Sequence, residues 1–135
     1  MKSSKSLVGF LLLFTAIAFT RCTADQGVST STKDFLSTNK WTVDYFFAGQ
    51  DKTAQFSSFE FNFRANGTVS GTTSTGDFEG TWSLMKDVSR NDVIEININN
   101  QPQLAELNDL WKVTDMGVST IDMNGLSTQL RLRKL

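Results

Sequence analysis

The sequence predicts an all-β domain, an antiparallel up-and-down barrel or meander of about eight short strands. Apolar and polar residues alternate in several short runs, most clearly at Phe59, Phe61 and Phe63, which is typical of a strand with one buried face. Turn residues separate these runs, as at Asn66-Gly67 and Asn124-Gly125. No apolar pattern of helical period extends beyond about two turns. We favour the barrel over the open meander, because closure removes unpaired strand edges.

The first 21 residues have the composition of a secretory signal peptide, with a basic start followed by an apolar run at residues 7–14. Ala16-Ile17-Ala18 fits an ordinary signal peptidase site, and cleavage there would give a soluble secreted or periplasmic protein. Phe19-Thr20-Arg21-Cys22 resembles a bacterial lipobox. We favour the lipobox, because Cys22 is the only cysteine and lies where lipid would be attached.

The sequence is therefore predicted to divide into three segments. We expect a signal peptide over residues 1–21, a flexible tether over residues 22–34 and one β domain over residues 35–135. The tether is rich in Thr, Ser, Gly, Asp and Gln and poor in apolar residues, a composition that favours an extended, solvated chain. One cysteine cannot form an internal disulfide, so the domain must be stabilised by apolar burial.

A short helical turn is expected before the first strand, because Ser31 or Thr32 can cap it and Phe35 and Leu36 supply apolar side chains. This turn should close one end of the barrel together with Trp41. Three turns are expected at the opposite end: Asn66-Gly67, residues 87–91 and Asn124-Gly125.

Each strand should direct its larger apolar residues inward. In the first strand these residues are Trp41, Val43, Tyr45 and Phe47. In the last strand, Leu126 is predicted to share a face with Leu130 and Leu132. The following residues are predicted to be buried in the other strands: Phe59, Phe61, Phe63, Trp82, Ile94, Ile96, Ile98, Leu130 and Leu132. Gly80 lies in the same buried row as Trp82, where a missing side chain permits a sharp bend or the close approach of another group.

The composition argues against most enzyme classes. The chain contains no histidine, so it has neither a Ser-His-Asp triad nor a histidine metal site. Asp77 and Glu79 share one face of a strand, but alternation places that face in solvent. We therefore expect no catalytic residue, no metal site and no cofactor. The formal net charge of −1 argues against nucleic acid as a partner.

The aromatic residues and turns of the domain occur in a characteristic order: Trp41, the Phe59–Phe63 strand, Asn66-Gly67, Gly80-Thr81-Trp82 and Trp111-Lys112-Val113, with a basic last strand. This order resembles the small lipocalin-like lipoproteins of Bacteroidota, and the resemblance covers residues 40–135. It implies a monomeric, non-catalytic outer-membrane lipoprotein that faces the periplasm or the cell surface and is held by lipid on Cys22.

The resemblance also implies that a small apolar ligand binds in the barrel or at its mouth. Five aromatic residues are candidates to line such a pocket: Tyr45, Phe59, Phe61, Trp82 and Trp111. The alternative is that these rings simply fill the core. In that case we expect an interaction or inhibitor module of the cell envelope that acts through its loops.

Overall fold

In the computed structural model, which describes residues 31–135, the chain forms a closed antiparallel barrel of eight strands. The strand order follows the chain, and the last strand pairs with the first. The predicted eight-stranded barrel is therefore confirmed. The strands are β1 (Lys40–Ala48), β2 (Glu60–Phe63), β3 (Thr68–Thr73), β4 (Gly76–Lys86), β5 (Asp92–Asn97), β6 (Leu110–Met116), β7 (Thr120–Asn124) and β8 (Thr128–Lys134).

Within the described residues, three short helices accompany the strands. The helix α1 (Thr32–Ser37) precedes β1, and 3-10 helices occupy Thr53–Phe56 and Pro102–Leu107. Ser31 caps α1 by accepting a hydrogen bond from the Asp34 backbone N–H at 3.1 Å, as predicted. The helix α1 begins at Thr32, within the segment predicted as tether. The signal peptide and Cys22 lie outside the described residues. Within residues 31–135, no helix has the length and apolarity needed to cross a membrane.

The core is the inward face of the strands, and the prediction of its main members is confirmed. All nine residues predicted to be buried are at most 5% exposed. Phe78 on β4 extends the aromatic row of β2, with its ring centroid 5.4 Å from that of Phe61 and 6.1 Å from that of Phe59. Strict alternation predicted these positions because a strand exposes successive side chains on opposite faces.

The predicted inward position of Tyr45 is wrong. The pairing of β1 with β8 shifts by one residue between Val43 and Tyr45, which is a β-bulge. The bulge reverses the alternation, so Phe46 is fully buried. Tyr45 instead borders an outer groove beside Arg131, and Phe47 is only partly buried.

The predicted position of Leu126 is also wrong. Leu126 lies in the turn before β8 and is fully exposed, because β8 begins only at Thr128.

The predicted close approach of another group at Gly80 is confirmed. A Cβ atom at this position would lie 2.3 Å from the Asn97 carbonyl oxygen and 2.9 Å from Ile98 Cγ1. The missing side chain therefore lets the end of β5 approach β4 closely.

The connections alternate between the two ends of the barrel, because each strand reverses the direction of the chain. The end that carries α1, called the α1 end below, also carries the turns at residues 64–67, 87–91 and 117–119. The opposite end carries both 3-10 helices and the turns at 74–75 and 125–127. Of the three turns predicted opposite α1, only Asn124-Gly125 lies there. Two strands separate α1 from the turn at Asn66-Gly67, and four strands separate α1 from the turn at residues 87–91. An even number of strands returns the chain to the end at which it started, so both turns lie at the α1 end.

Candidate functional site

The α1 end of the barrel interior is closed by α1 itself. Leu36 is fully buried, and its carbonyl oxygen accepts a hydrogen bond from Trp41 Nε1 at 2.9 Å. The Phe35 ring packs against Trp41 with centroids 5.2 Å apart, and Lys134 Nζ lies 4.1 Å from the centre of the Phe35 ring. The predicted plug of Phe35, Leu36 and Trp41 is therefore present.

The opposite end is closed in a similar way by the two 3-10 helices. Trp111 Nε1 donates a hydrogen bond to the Leu107 carbonyl oxygen at 2.8 Å. Phe56 is fully buried, and its ring packs edge-on against Phe46 at 4.9 Å. The Phe46 ring in turn lies 6.2 Å from Trp111. These contacts fill the end at which the mouth of an open barrel would lie.

The five predicted ligand-lining residues do not surround one cavity. Phe59 and Phe61 pack against Phe63 and Phe78 inside the barrel. Trp111 is fully buried in the plug at the opposite end, and Tyr45 lies on the outer surface. Trp82 alone borders a cleft at a barrel end, whereas Phe61 contributes to the floor of a groove on the side of the barrel.

The cleft beside Trp82 lies at the α1 end and has a volume of about 360 Å³. Its lining combines the apolar residues Trp82 and Leu84 with other residues of α1, β4 and the β2–β3 turn: Lys33 of α1, Ser83 of β4, and Ala65, Asn66 and Gly67 of the turn. We call it the α1-end cleft. The cleft is formed by α1, the β2–β3 turn and β4, which are distant in the sequence.

Two hydrogen bonds fix the wall of the α1-end cleft. Trp82 Nε1 donates to the Arg64 carbonyl oxygen at 2.8 Å, and the Trp82 backbone N–H donates to the Gly67 carbonyl oxygen at 2.9 Å. Gly67 has a φ of 91°, a conformation that glycine adopts without steric cost. The β2–β3 turn is thus attached to β4, and the Trp82 ring is held in one orientation.

A second groove of about 480 Å³ runs along the side of the barrel. It lies where β2 and β3 separate, since these strands pair only at Asn62–Ser70 and Phe63–Val69. Its lining is mainly polar and charged: Lys40, Glu60, Asn62, Arg64, Ser70, Thr72, Asp77, Glu79 and Asn100, with Phe61, Gly71 and Phe78 also present. Because charged side chains lose solvation when an apolar ligand covers them, this groove, with five charged residues, is less suited to such a ligand than the α1-end cleft, with one.

The carboxylates with shifted pKa values are structural. The hydrogen bond from the Asn91 side chain is the main cause that lowers the pKa of Asp87, and backbone N–H groups of the same turn add to it. Thr53 lowers the pKa of Asp51 in the same manner. Asp77 and Glu79 lie on the exposed face of β4. Residues 31–135 contain no group of three or more Cys, Asp or Glu side chains arranged to hold a metal ion.

Comparison with solved structures bears on the fold. A lipocalin-like protein from Bacteroides uniformis superposes with a TM-score of 0.52 at 20% sequence identity, covering 72% of this chain and 96% of the other. The fold is a lipocalin-like barrel. A DUF4847 family protein from Bacteroides vulgatus gives a TM-score of 0.56 at 18% identity, covering 75% of this chain and 95% of the other. No family model matches the chain, and no curated protein matches its sequence.

Sequence reasoning missed two features of this lipocalin-like barrel. Phe56 plugs the opposite end, and its only signal was a single large apolar residue within an otherwise polar loop. Lys33 and Leu84 border the α1-end cleft, and no local pattern joins them. Their proximity depends on how α1 packs across the end of the barrel.

Proposed function

We propose that this lipocalin-like barrel binds a small apolar molecule in the α1-end cleft, outside its filled interior. The supporting observation is the apolar wall of Trp82 and Leu84 in a cleft of about 360 Å³. That volume lies in the range of ordinary small-molecule sites, ~300–1,000 Å³. The Trp82 ring need not change its orientation to receive a ligand, because its indole N–H already donates a hydrogen bond to the Arg64 carbonyl oxygen.

The ligand should have an apolar body and a polar or anionic end group. Lys33 is exposed at the rim of the cleft, where its ammonium group can face a carboxylate or phosphate. Asn66 and Ser83 add hydrogen-bonding groups on the same rim. A medium-chain carboxylate such as decanoate has this chemistry and is a suitable probe.

We also propose that the protein is a monomeric, non-catalytic lipoprotein of the outer membrane, facing the periplasm or the surface and attached through Cys22. The lipobox resemblance supports this proposal. Residues 23–30 would join the lipid to Ser31 and could span ~30 Å when extended. Mass spectrometry of the mature N-terminus should find lipid on Cys22, whereas a soluble product that begins at Phe19 would contradict the anchor.

Ligand binding can be tested through the three indole N–H groups, each of which has its own backbone partner. Decanoate should shift the Trp82 indole resonance in a ¹H–¹⁵N spectrum and leave those of Trp41 and Trp111 in place. Movement of the Trp111 resonance alone would instead place the ligand inside the barrel and contradict the proposed site.

Two variants should weaken decanoate binding. Lys33→Glu should raise the Kd by up to about fivefold, since an exposed ion pair contributes up to ~1 kcal/mol. Leu84→Ala should weaken binding by shortening the apolar wall. Lys112→Glu makes the same charge change on the exposed face of β6 and should leave the Kd unchanged. Equal effects of the two lysine variants would show that the net charge, rather than the cleft, controls binding.

The filled interior favours a second candidate function. With both ends plugged and most core aromatic rings packed in groups, the barrel could serve as a rigid support for a loop surface that binds or inhibits another envelope protein. If decanoate and similar amphiphiles shift none of the three indole resonances, this interaction function becomes the better explanation.

A further inference from the structure

Most of the exposed large apolar side chains lie at one end of the barrel. Seven large apolar residues are exposed among the described residues, and two of them, Leu110 and Leu126, belong to the opposite end. The other five belong to the α1 end: Met85, Val88, Met116, Val118 and Leu135. Exposed apolar residues gathered at one end, unlike single residues scattered over a surface, ask for an explanation by contact with another surface.

Val88 and Val118 lie at the tips of two turns, β4–β5 and β6–β7, and are 105% and 93% exposed. The first turn is held by the Asp87 carboxylate, which accepts hydrogen bonds from the Ser89 and Asn91 backbone N–H groups at 2.9 and 2.8 Å. The second is closed by a hydrogen bond from the Gly117 N–H to the Thr120 carbonyl oxygen at 2.9 Å. Both valines are therefore held away from the core by ordered turns.

The path of the chain indicates what covers this surface. Residues 1–30 join the barrel at Ser31, which is at the α1 end. This segment contains the lipobox cysteine, Cys22, which the proposed processing would leave as the first residue. A membrane attachment through this segment would bring the α1 end, rather than the opposite end, to the bilayer.

We propose that the α1 end docks on the surface of a lipid bilayer, with Val88 and Val118 entering the boundary between headgroups and acyl chains. This inference rests on the proposed membrane attachment and adds a direct contact of the folded domain. Lys33 and Arg90 are exposed at the same end and can direct their charged groups toward lipid headgroups. The α1-end cleft would then open toward the bilayer, the natural source of an apolar ligand.

Apolar burial, rather than charge, should hold this contact. Lys86 forms an ion pair with Asp92 at the same end, and Asp34, Asp87 and Asp115 offset much of the remaining positive charge. Docking should therefore change little when the ionic strength rises to ~0.5 M, where exposed charges are strongly screened.

Depth-dependent quenching tests the proposal. The full chain carrying Val88→Cys or Leu126→Cys is labelled with a bimane fluorophore and added to phosphatidylethanolamine–phosphatidylglycerol vesicles that contain acyl-chain nitroxide lipid. Leu126 is the matched control, since it is equally exposed but lies in a turn at the opposite end. We expect at least threefold more quenching at position 88 than at position 126. Equal quenching, including none at either position, would overturn docking.

Two further measurements separate this inference from the anchor. In the protein without an introduced cysteine, a lipidated Cys22 cannot react with the bimane reagent. Labelling of that protein would therefore show that the lipid anchor is missing, whatever the quenching result. Val118→Asp in the Val88→Cys protein should lower quenching at position 88 at least twofold, whereas Leu110→Asp at the opposite end should not. Unchanged quenching in the Val118→Asp protein would overturn the role of the turn tips.

Discussion

The three tryptophans perform the same task at different places in the barrel. Each indole N–H donates a hydrogen bond to a backbone carbonyl oxygen of a segment that closes an end: Leu36 for Trp41, Arg64 for Trp82 and Leu107 for Trp111. For the two buried pairs, those of Trp41 and Trp111, a carbonyl left without a partner would cost ~1–3 kcal/mol. Each ring therefore fills space in the core and also fixes the segment that covers it.

Gly80→Ala should destabilise the barrel by ~1–3 kcal/mol or more, the cost of overpacking a filled region. The new Cβ atom would meet a backbone oxygen, that of Asn97, at 2.3 Å, and backbone cannot rotate away as a side chain can. Urea unfolding measures the change. The control is Gly117→Ala, where the nearest atom is the Thr120 hydroxyl at 3.0 Å. Equal costs for the two variants would contradict the close approach of β5.

Phe61→Ala should cost ~3–5 kcal/mol of unfolding free energy, as expected for removing a buried aromatic ring. Phe61 is 2% exposed and contacts the rings of Phe63 and Phe78. Glu60→Ala changes the adjacent, exposed residue of β2 and should cost well under ~1 kcal/mol. Similar midpoints for the two variants in chemical denaturation would show that the register of β2 is wrong.

At the scale of elements, α1 is held by apolar contacts, by the hydrogen bond from Trp41 to the Leu36 carbonyl oxygen and by a polar link to β5. Thr32 is buried, and its hydroxyl donates a hydrogen bond to Asp92 Oδ2 at the start of β5. Burial is the largest single influence on the pKa of Asp92 and acts to raise it. The hydrogen bonds from Lys86 and Thr32, together with the Lys86 charge, outweigh burial, so the pKa of Asp92 lies below its usual value.

This shift gives the link a defined pH dependence. A carboxyl group with a lowered folded-state pKa stabilises the fold fully above its unfolded value, ~3.9, and loses that contribution as the pH falls through the folded value. Asp92→Asn should therefore lower the Tm at pH 7, and the difference from the wild type should shrink as the pH falls below ~4. A difference that is constant down to the acid limit would show that the Asp92 charge plays no part.

At the scale of the molecule, clean alternation made most of the barrel predictable. Phe59, Phe61 and Phe63 could be assigned to the core because only one register buries all three. Tyr45 could not, because Tyr45, Phe46 and Phe47 are consecutive aromatic residues and either register buries a ring. The bulge that decides between the registers depends on the pairing of β1 with β8.

Two of the three turns were predicted at the wrong end of the barrel, although strand counting alone places them, since each antiparallel strand changes the end at which the chain emerges. The candidate site was less predictable. Trp82 was identified because a large ring in an alternating strand is a reliable core residue. The α1-end cleft depends on the distance between Lys33 and the β2–β3 turn, and that distance follows from packing between segments far apart in the sequence.

The filled interior can be tested most directly with a crystal structure of the protein under xenon pressure, because xenon enters empty apolar cavities and identifies them by its strong scattering. With Trp41 and Trp111 sealing opposite ends, we expect no ordered xenon atom inside the barrel, and any bound atom should lie in the α1-end cleft beside Trp82. Well-occupied xenon between the Phe61 and Trp111 layers would contradict the filled core and place the ligand site inside the barrel.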